Sequence, residues 1–108
     1  MKRGDIRLVA GGVYASKPRP AVVIQDDLFA ALDSVTVCPL TTTGVDAPLL
    51  RLPIAATATS GLDADSFVMV DKLTTVRRAN VGAKVGVFTD EQLSELERLL
   101  IVFLGIAR

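Results

Sequence analysis

Near the N-terminus, one arginine combines a chemically useful side chain with a rigid neighbour. Arg19 and Pro20 end a polar segment and lead directly into the apolar residues 21–24. A guanidinium stays charged at every working pH, and its forked N–H groups match phosphate or carboxylate oxygens. Pro20 fixes its own φ and pushes Arg19 towards extended geometry. The pair predicts an anion site at the mouth of a strand, although an exposed strand-edge charge would give the same pattern.

Length and composition limit the possible functions. The 108 residues predict one domain spanning positions 1–108. Twelve basic and twelve acidic side chains cancel, which argues against a protein that coats duplex DNA by charge. No apolar stretch is long enough to span a membrane, and Met1 is not followed by a signal sequence, so we expect a cytoplasmic protein. Cys38 has no disulfide partner and no histidine to activate it, so we interpret it as a core residue.

Runs of alternating and β-branched residues predict a sheet of short strands. We expect strands at residues 6–10, 21–25, 34–40, 50–54 and 66–76, a further short one at 84–87, and a loop at 11–18. Thr89 and Gln92 have the spacing of a capping box, and an apolar stripe follows until Gly105, so a terminal helix is predicted. Asp71 falls inside the strand-like run at residues 66–76, and the presence of a charged residue there needs an explanation. The fold class is therefore β-rich α+β, a small barrel-like sheet of five or six strands closed by a C-terminal α-helix.

Five short motifs occur in the order and spacing of the MazF/PemK toxins. They are Lys2-Arg3-Gly4-Asp5-Ile6, Arg19-Pro20-Ala21-Val22-Val23-Ile24-Gln25, Pro39-Leu40-Thr41-Thr42, Ser60-Gly61-Leu62 and Asp71-Lys72-Leu73-Thr74-Thr75-Val76. Each motif is short, but their joint occurrence along nearly the whole chain is specific. The chain therefore resembles this family.

The resemblance implies an SH3-like barrel that forms a homodimer and cleaves single-stranded RNA at short sequence motifs. Growth arrest follows, and a cognate antitoxin protein restrains it. By the same resemblance, Arg19 and Thr41 face the scissile phosphate. Asp71 matches an aspartate that some members use, whereas the arginine that those members place on the same strand is Met69 here.

RNA cleavage demands little of the protein because RNA carries its own nucleophile. When the 2′-hydroxyl attacks the neighbouring phosphorus, the enzyme must accept a proton, compensate charge and protonate the leaving 5′-oxygen. Arg19 suits charge compensation, and Thr41 can hydrogen-bond a phosphate oxygen. Asp71 could accept the proton, orient a nucleotide, or merely bond a loop amide. No cluster of metal-ligating residues is indicated, so we expect neither a metal nor another cofactor.

Five further residues are candidate RNA contacts. Tyr14, the single tyrosine, could stack on a base or be an ordinary loop residue. Lys17 and Pro20 are close to Arg19 in the sequence, and Thr42 follows Thr41. Arg77 could follow the RNA backbone, although a solvated turn would also explain it. Several relatives carry a histidine or glutamate near the position of Tyr14, so the general acid and base stay unassigned.

Two other functions remain open from the sequence. The segment Gly105-Ile106 near the C-terminus resembles the ending of the CcdB-type poisons of DNA gyrase, but those use a tryptophan that this chain lacks. A degenerate relative that only binds the antitoxin would explain the missing histidine and the methionine at Met69. Arg19 and Thr41 count against that second possibility.

Overall fold

A computed structural model describes residues 1–11 and 15–107 of the chain. Seven strands lie within these residues, followed by one α-helix. They are β1 (Asp5–Gly11), β2 (Ala15–Val23), β3 (Ser34–Thr41), β4 (Arg51–Ile54), β5 (Ser66–Met69), β6 (Thr74–Arg77), β7 (Val81–Val87) and α1 (Asp90–Phe103). The predicted fold class and C-terminal helix are confirmed, with one more strand than the sequence indicates.

The strands form one antiparallel, open barrel-like sheet in which β3 is the junction. The strand order is β4-β5-β3-β2-β1-β7, and β6 also pairs with β3. One edge of β3 pairs with β2. Its other edge pairs first with β6 and then with β5. The residues around Thr41 therefore belong to a different part of the sheet from the residues around Ser34.

The predicted single strand at residues 66–76 is wrong, because a 3₁₀ turn at Val70–Lys72 divides it into β5 and β6. Leu40 pairs with Val68, and Val37 pairs with Thr74. Five residues, 69–73, thus lie opposite two residues of β3, and the extra length is taken up by the turn. This explains Asp71, which lies in the turn rather than in a strand.

The predicted loop at residues 11–18 is also wrong, because β2 begins at Ala15 and pairs with β1. Pro20 directs its nitrogen away from β1, so its missing N–H does not weaken that pairing. Between Ala15 and Arg19, four steps along β2 match two steps along β1, which makes β2 bulge. Arg19 therefore lies within a strand and not at the end of a loop.

Two apolar cores lie on opposite faces of the central strands, because successive side chains of a strand alternate. The first core contains Ile6, Val22, Cys38, Leu40, Ile54, Val68, Val70, Phe88, Leu96 and Leu99. The second contains Val9, Ala21, Val23, Val35, Val37 and Val76. Burial raises the pKa of the Cys38 thiol to about 12, in keeping with a core residue.

Helix α1 covers the first core and begins as the sequence predicts. Thr89 Oγ1 accepts a hydrogen bond from Gln92 N at 3.1 Å, and Gln92 Oε1 accepts one from Thr89 N at 2.8 Å. Leu96 and Leu99 are buried, and each contributes about 1.5–3 kcal/mol to folding. Gly105 has a φ of 71°, a conformation that glycine adopts readily and that ends the helix. No helix within residues 1–11 and 15–107 is long and apolar enough to cross a membrane.

The Ser60-Gly61 motif holds a long loop against β7. Ser60 is buried, and its hydroxyl donates to Ala55 O at 2.9 Å and accepts from Thr57 N at 3.0 Å. Gly61 has a φ of 65°, and a Cβ at this position would lie 1.8 Å from Val85 O. Only glycine allows the two backbones to approach this closely.

Asp5 fastens the N-terminus to the sheet. Its carboxylate accepts from Lys2 N at 3.0 Å, and Arg7 and Lys84 each place a nitrogen 3.5 Å away. Burial raises the pKa of Asp5, but the hydrogen bond from Lys2 and the charges of Lys84 and Arg7 outweigh it and leave the pKa below its ordinary value. The ionised carboxylate is therefore the stable form in the folded chain.

We expect Asp5→Asn to lower the free energy of unfolding at pH 7 by about 1–3 kcal/mol, because the buried site loses its anion. A lowered pKa gives stability that is complete above the ordinary carboxyl pKa and is lost as the pH falls through the lowered value. The difference between parent and variant should therefore narrow below about pH 4. Urea unfolding at pH 7, 5 and 3 measures it, with Glu95→Gln as an exposed control. A difference that is constant across this range would contradict the assignment.

Candidate active site

The pairing of β2 and β3 ends at Pro20. Ile24 N donates to Thr36 O at 3.1 Å, so alternate residues of β2 direct their N–H groups towards β3. The pairs run from Val23 to Ala21, which lies opposite Pro39, and the next pair would set Pro20 against Leu40. Pro20 has no N–H to donate. In the described part of the chain the β2–β3 pairing ends here, and Leu40 pairs with β5 on its other edge.

Arg19 and Thr41 lie on either side of this point. Arg19 lies two residues before Ala21 on β2 and Thr41 two residues after Pro39 on β3, and strand alternation puts both on the same face of the sheet. Arg19 also pairs with Val9 of β1, and its side chain is exposed. Among the described residues no carboxylate lies within ion-pair distance of Arg19. The guanidinium is therefore available to an anion from outside the chain.

Thr41 is held by a local turn that leaves its proton available. Thr41 Oγ1 accepts a hydrogen bond from Thr43 N at 3.1 Å. A hydroxyl that accepts in this way can still donate its own hydrogen to another oxygen. Thr42 follows directly and is exposed. The turn continues over the ring of Phe67, which pairs with Thr41 on β5 and lies 3.1 Å from the position of a Cβ on Gly44.

Asp71 is bound to an arginine for which the sequence predicted no role. Arg51 Nη1 donates to Asp71 Oδ1 at 2.5 Å and to Leu50 O at 2.8 Å. The hydrogen bond and charge of Arg51 hold the pKa of Asp71 below its ordinary value, despite some burial. The sequence could have indicated Arg51, because the alternation of Leu50, Leu52 and Ile54 places Arg51 on the face of the strand away from the core.

Asp71 lies further along the sheet than Thr41 and not beside it. Phe67 pairs with Thr41, and Asp71 follows four residues later, after two strand steps and the start of the 3₁₀ turn. The pairs Leu40–Val68 and Val37–Thr74 set this turn opposite Cys38 and Pro39, so Asp71 lies two or three residues further along the sheet than Thr41. The two side chains can therefore serve neighbouring groups of one extended ligand.

The remaining predicted contacts fall in different places. Tyr14 lies outside the described residues. Lys17 is exposed on β2, two residues before Arg19, and Pro20 is partly buried between the strands. Arg77 pairs with Ser34, seven residues from Thr41, which is about 23 Å along β3. Since Val76 belongs to the second core, Arg77 is directed to the opposite face, and the structure does not bring it to Arg19.

Arg78 holds a loop in place. Its Nε donates to Leu32 O at 2.8 Å, and its Nη2 donates to Ala30 O.

Within residues 1–11 and 15–107, no three His, Cys, Asp or Glu side chains are grouped as ligands of a metal ion.

The fold and the family match define a class of small toxins. Residues 2–104 match the family of PemK-like, MazF-like toxins of type II toxin–antitoxin systems. The chain belongs to this family, as the sequence motifs predict.

Several proteins that are similar to this chain come from mycobacteria. The chain is 49% identical over 108 residues to the probable endoribonuclease MazF of Mycolicibacterium smegmatis, with 99% of each chain covered. It superimposes on the Mycobacterium tuberculosis toxin MazF-mt6 with a TM-score of 0.83 and 23% identity, covering 96% of this chain and 99% of that one. A mycobacterial endoribonuclease in complex with its cognate antitoxin gives a TM-score of 0.81 at 19% identity, with 100% and 98% covered. At these identities the structural matches confirm the fold alone.

We expect Arg78→Met to lower the free energy of unfolding by about 1 kcal/mol, because the loop at residues 30–32 loses its two hydrogen bonds. Arg77→Met is the matched control, since Arg77 is exposed and holds no loop. Urea unfolding measures both. Equal stability of the two variants would show that the Arg78 bonds do not stabilise the chain.

Proposed function

We propose that this chain is a cytoplasmic endoribonuclease toxin that cleaves single-stranded RNA. The 2′-hydroxyl attacks the adjacent phosphorus, the P–O5′ bond breaks, and the products carry a 2′,3′-cyclic phosphate and a 5′-hydroxyl. One observation carries the proposal: an exposed arginine and a threonine lie on the same face of the sheet, next to the point where the β2–β3 pairing ends. The 49% identity to a probable endoribonuclease MazF supports it.

Arg19 and Thr41 act on the scissile phosphate. Negative charge grows on the non-bridging oxygens as the 2′-oxygen bonds to phosphorus, and the planar guanidinium of Arg19 compensates it. The Thr41 hydroxyl donates to one phosphate oxygen and fixes its position. Both groups stand on strands, which hold them more rigidly than a loop would. Lys17 and Thr42 extend the binding surface along the RNA backbone.

Asp71 orients a nucleotide rather than accepting the 2′-proton. It lies two or three residues further along the sheet than Thr41, and its Oδ1 is bound to Arg51 Nη1. Its pKa is lowered by Arg51, which makes the carboxylate a weaker base. The 2′-proton therefore passes to a group other than Asp71.

The protein also has partners. Solved structures similar to this chain include a complex of MazE with MazF from Deinococcus radiodurans. For this chain we propose inhibition by a cognate antitoxin whose flexible acidic segment lies over Arg19 and competes with RNA phosphates. We also propose a homodimer, because the end of α1 and the residues that follow it expose Ile101, Val102, Phe103, Leu104 and Ile106.

We expect Arg19→Ala to slow cleavage by about 10²–10³-fold without changing the melting temperature, because one donor to the developing charge is lost. Arg19→Lys should also be slow, since the planar fork is lost. Thr41→Val keeps the shape, removes the hydroxyl and should slow cleavage. The assay uses a mixed single-stranded RNA with EDTA and identifies the end groups.

Arg98→Met is the control for this assay, because its ion pair with Glu95 is exposed on α1. If Arg19→Ala cleaves within a few-fold of the parent, Arg19 is not at the scissile phosphate. End groups other than a 2′,3′-cyclic phosphate and a 5′-hydroxyl would contradict the proposed reaction.

We expect light scattering at micromolar concentration to give about twice the chain mass of 11.4 kDa, because the exposed apolar end of α1 needs a cover. A mass of one chain throughout the micromolar range would contradict the homodimer.

A further inference from the structure

Arg51 lies directly opposite Met69, the position at which some relatives of the chain carry an arginine. The two residues form a cross-strand pair between β4 and β5. The Arg51 side chain is 14% exposed, and its Nη1 binds both Asp71 Oδ1 and Leu50 O. A guanidinium therefore stands beside Asp71 even though Met69 cannot supply one.

The pair of Arg51 and Asp71 lies on the face of the sheet that carries Thr41. Leu52 and Val68 are paired and pack in the first core, so their neighbours Arg51 and Met69 are directed to the other face. Phe67 is on that same face and pairs with Thr41. A strand of RNA bound at Thr41 would meet Phe67 and Met69 before it reached the carboxylate.

The Asp71 carboxylate keeps acceptor sites for a ligand. Its Oδ1 accepts from Arg51 Nη1 and the backbone of Asp71 also bonds the carboxylate, but two carboxylate oxygens offer about four acceptor sites, so Oδ2 can still accept. The side chain is 23% exposed, so a ligand can reach it. An ionised carboxylate only accepts hydrogen bonds, and it pairs with the exocyclic amino groups of cytosine, adenine and guanine, whereas uracil has no amino group and offers only its ring N3–H.

We infer that Arg51 is a positioning residue, reaching from β4 to fix Asp71 so that its second oxygen selects an amino-bearing base beside the scissile phosphate. The inference rests on the proposed function and deepens it, because it gives the site a specificity element. Arg51 itself is largely covered and acts through Asp71. Removing either side chain should therefore have the same consequence for sequence preference.

The experiment compares four variants with the parent: Arg51→Met, Arg51→Lys, Asp71→Asn, and the double variant of Arg51→Met with Asp71→Asn. Each is incubated with a randomised RNA pool, and the new 5′-ends are sequenced. Arg51→Met and Asp71→Asn should each weaken the preference for an amino-bearing base about tenfold, at the same single position. The double variant should be no worse than either one, and Arg51→Lys should recover part of the preference. Arg98→Met, which breaks the exposed pair with Glu95, should match the parent.

A binding assay distinguishes a failure of this inference from a failure of the proposed function. Fluorescence anisotropy with uncleavable 2′-O-methyl oligomers that differ at one base gives the same preference without any cleavage. A parent that discriminates among these oligomers but cuts no RNA would support the role of Arg51 and contradict the nuclease. If the variants lose melting temperature while the base preference is unchanged in both assays, the ion pair is a structural link between β4 and the turn, and the inference is wrong.

Discussion

A single missing hydrogen-bond donor shapes the site. Pro20 cannot complete the pair with Leu40, so β2 and β3 separate one residue before Arg19 and Thr41 would be joined by a regular ladder. β1 keeps its pairing with β2, because the proline nitrogen is directed away from it. The pairing of β2 and β3 thus ends next to two polar side chains, while β1 still holds β2 in the sheet.

The turn at Val70–Lys72 is a second interruption of the sheet. Pro39 of β3 lies opposite this region, and its nitrogen is directed towards it, so no β3 donor is left unpaired at Pro39. The turn takes Asp71 out of the strand and places it within reach of Arg51. Each proline of the family motifs thus coincides with a place where the ladder is interrupted and a polar residue is presented.

Local patterns were sufficient to predict the fold class, the terminal helix and the family. The capping box at Thr89, the apolar stripe of α1 and the alternating strands are short-range signals, and all are present in the structure. The boundaries of β2 and the division between β5 and β6 could not be predicted, because they depend on register between strands distant in sequence. The Arg51–Asp71 pair was missed for the same reason, whereas the predicted roles of Arg19 and Thr41 stay predictions.

We infer that the absent N–H of Pro20 keeps β2 and β3 apart at Arg19 and Thr41. Amide hydrogen exchange of Pro20→Ala, followed by NMR, measures whether this is so. The amide that this substitution introduces should be protected by a bond to Leu40 O, and the same variant should cleave RNA about tenfold more slowly at an unchanged or higher melting temperature. An unprotected amide at position 20, or full cleavage by a variant whose strands have joined, would contradict the account.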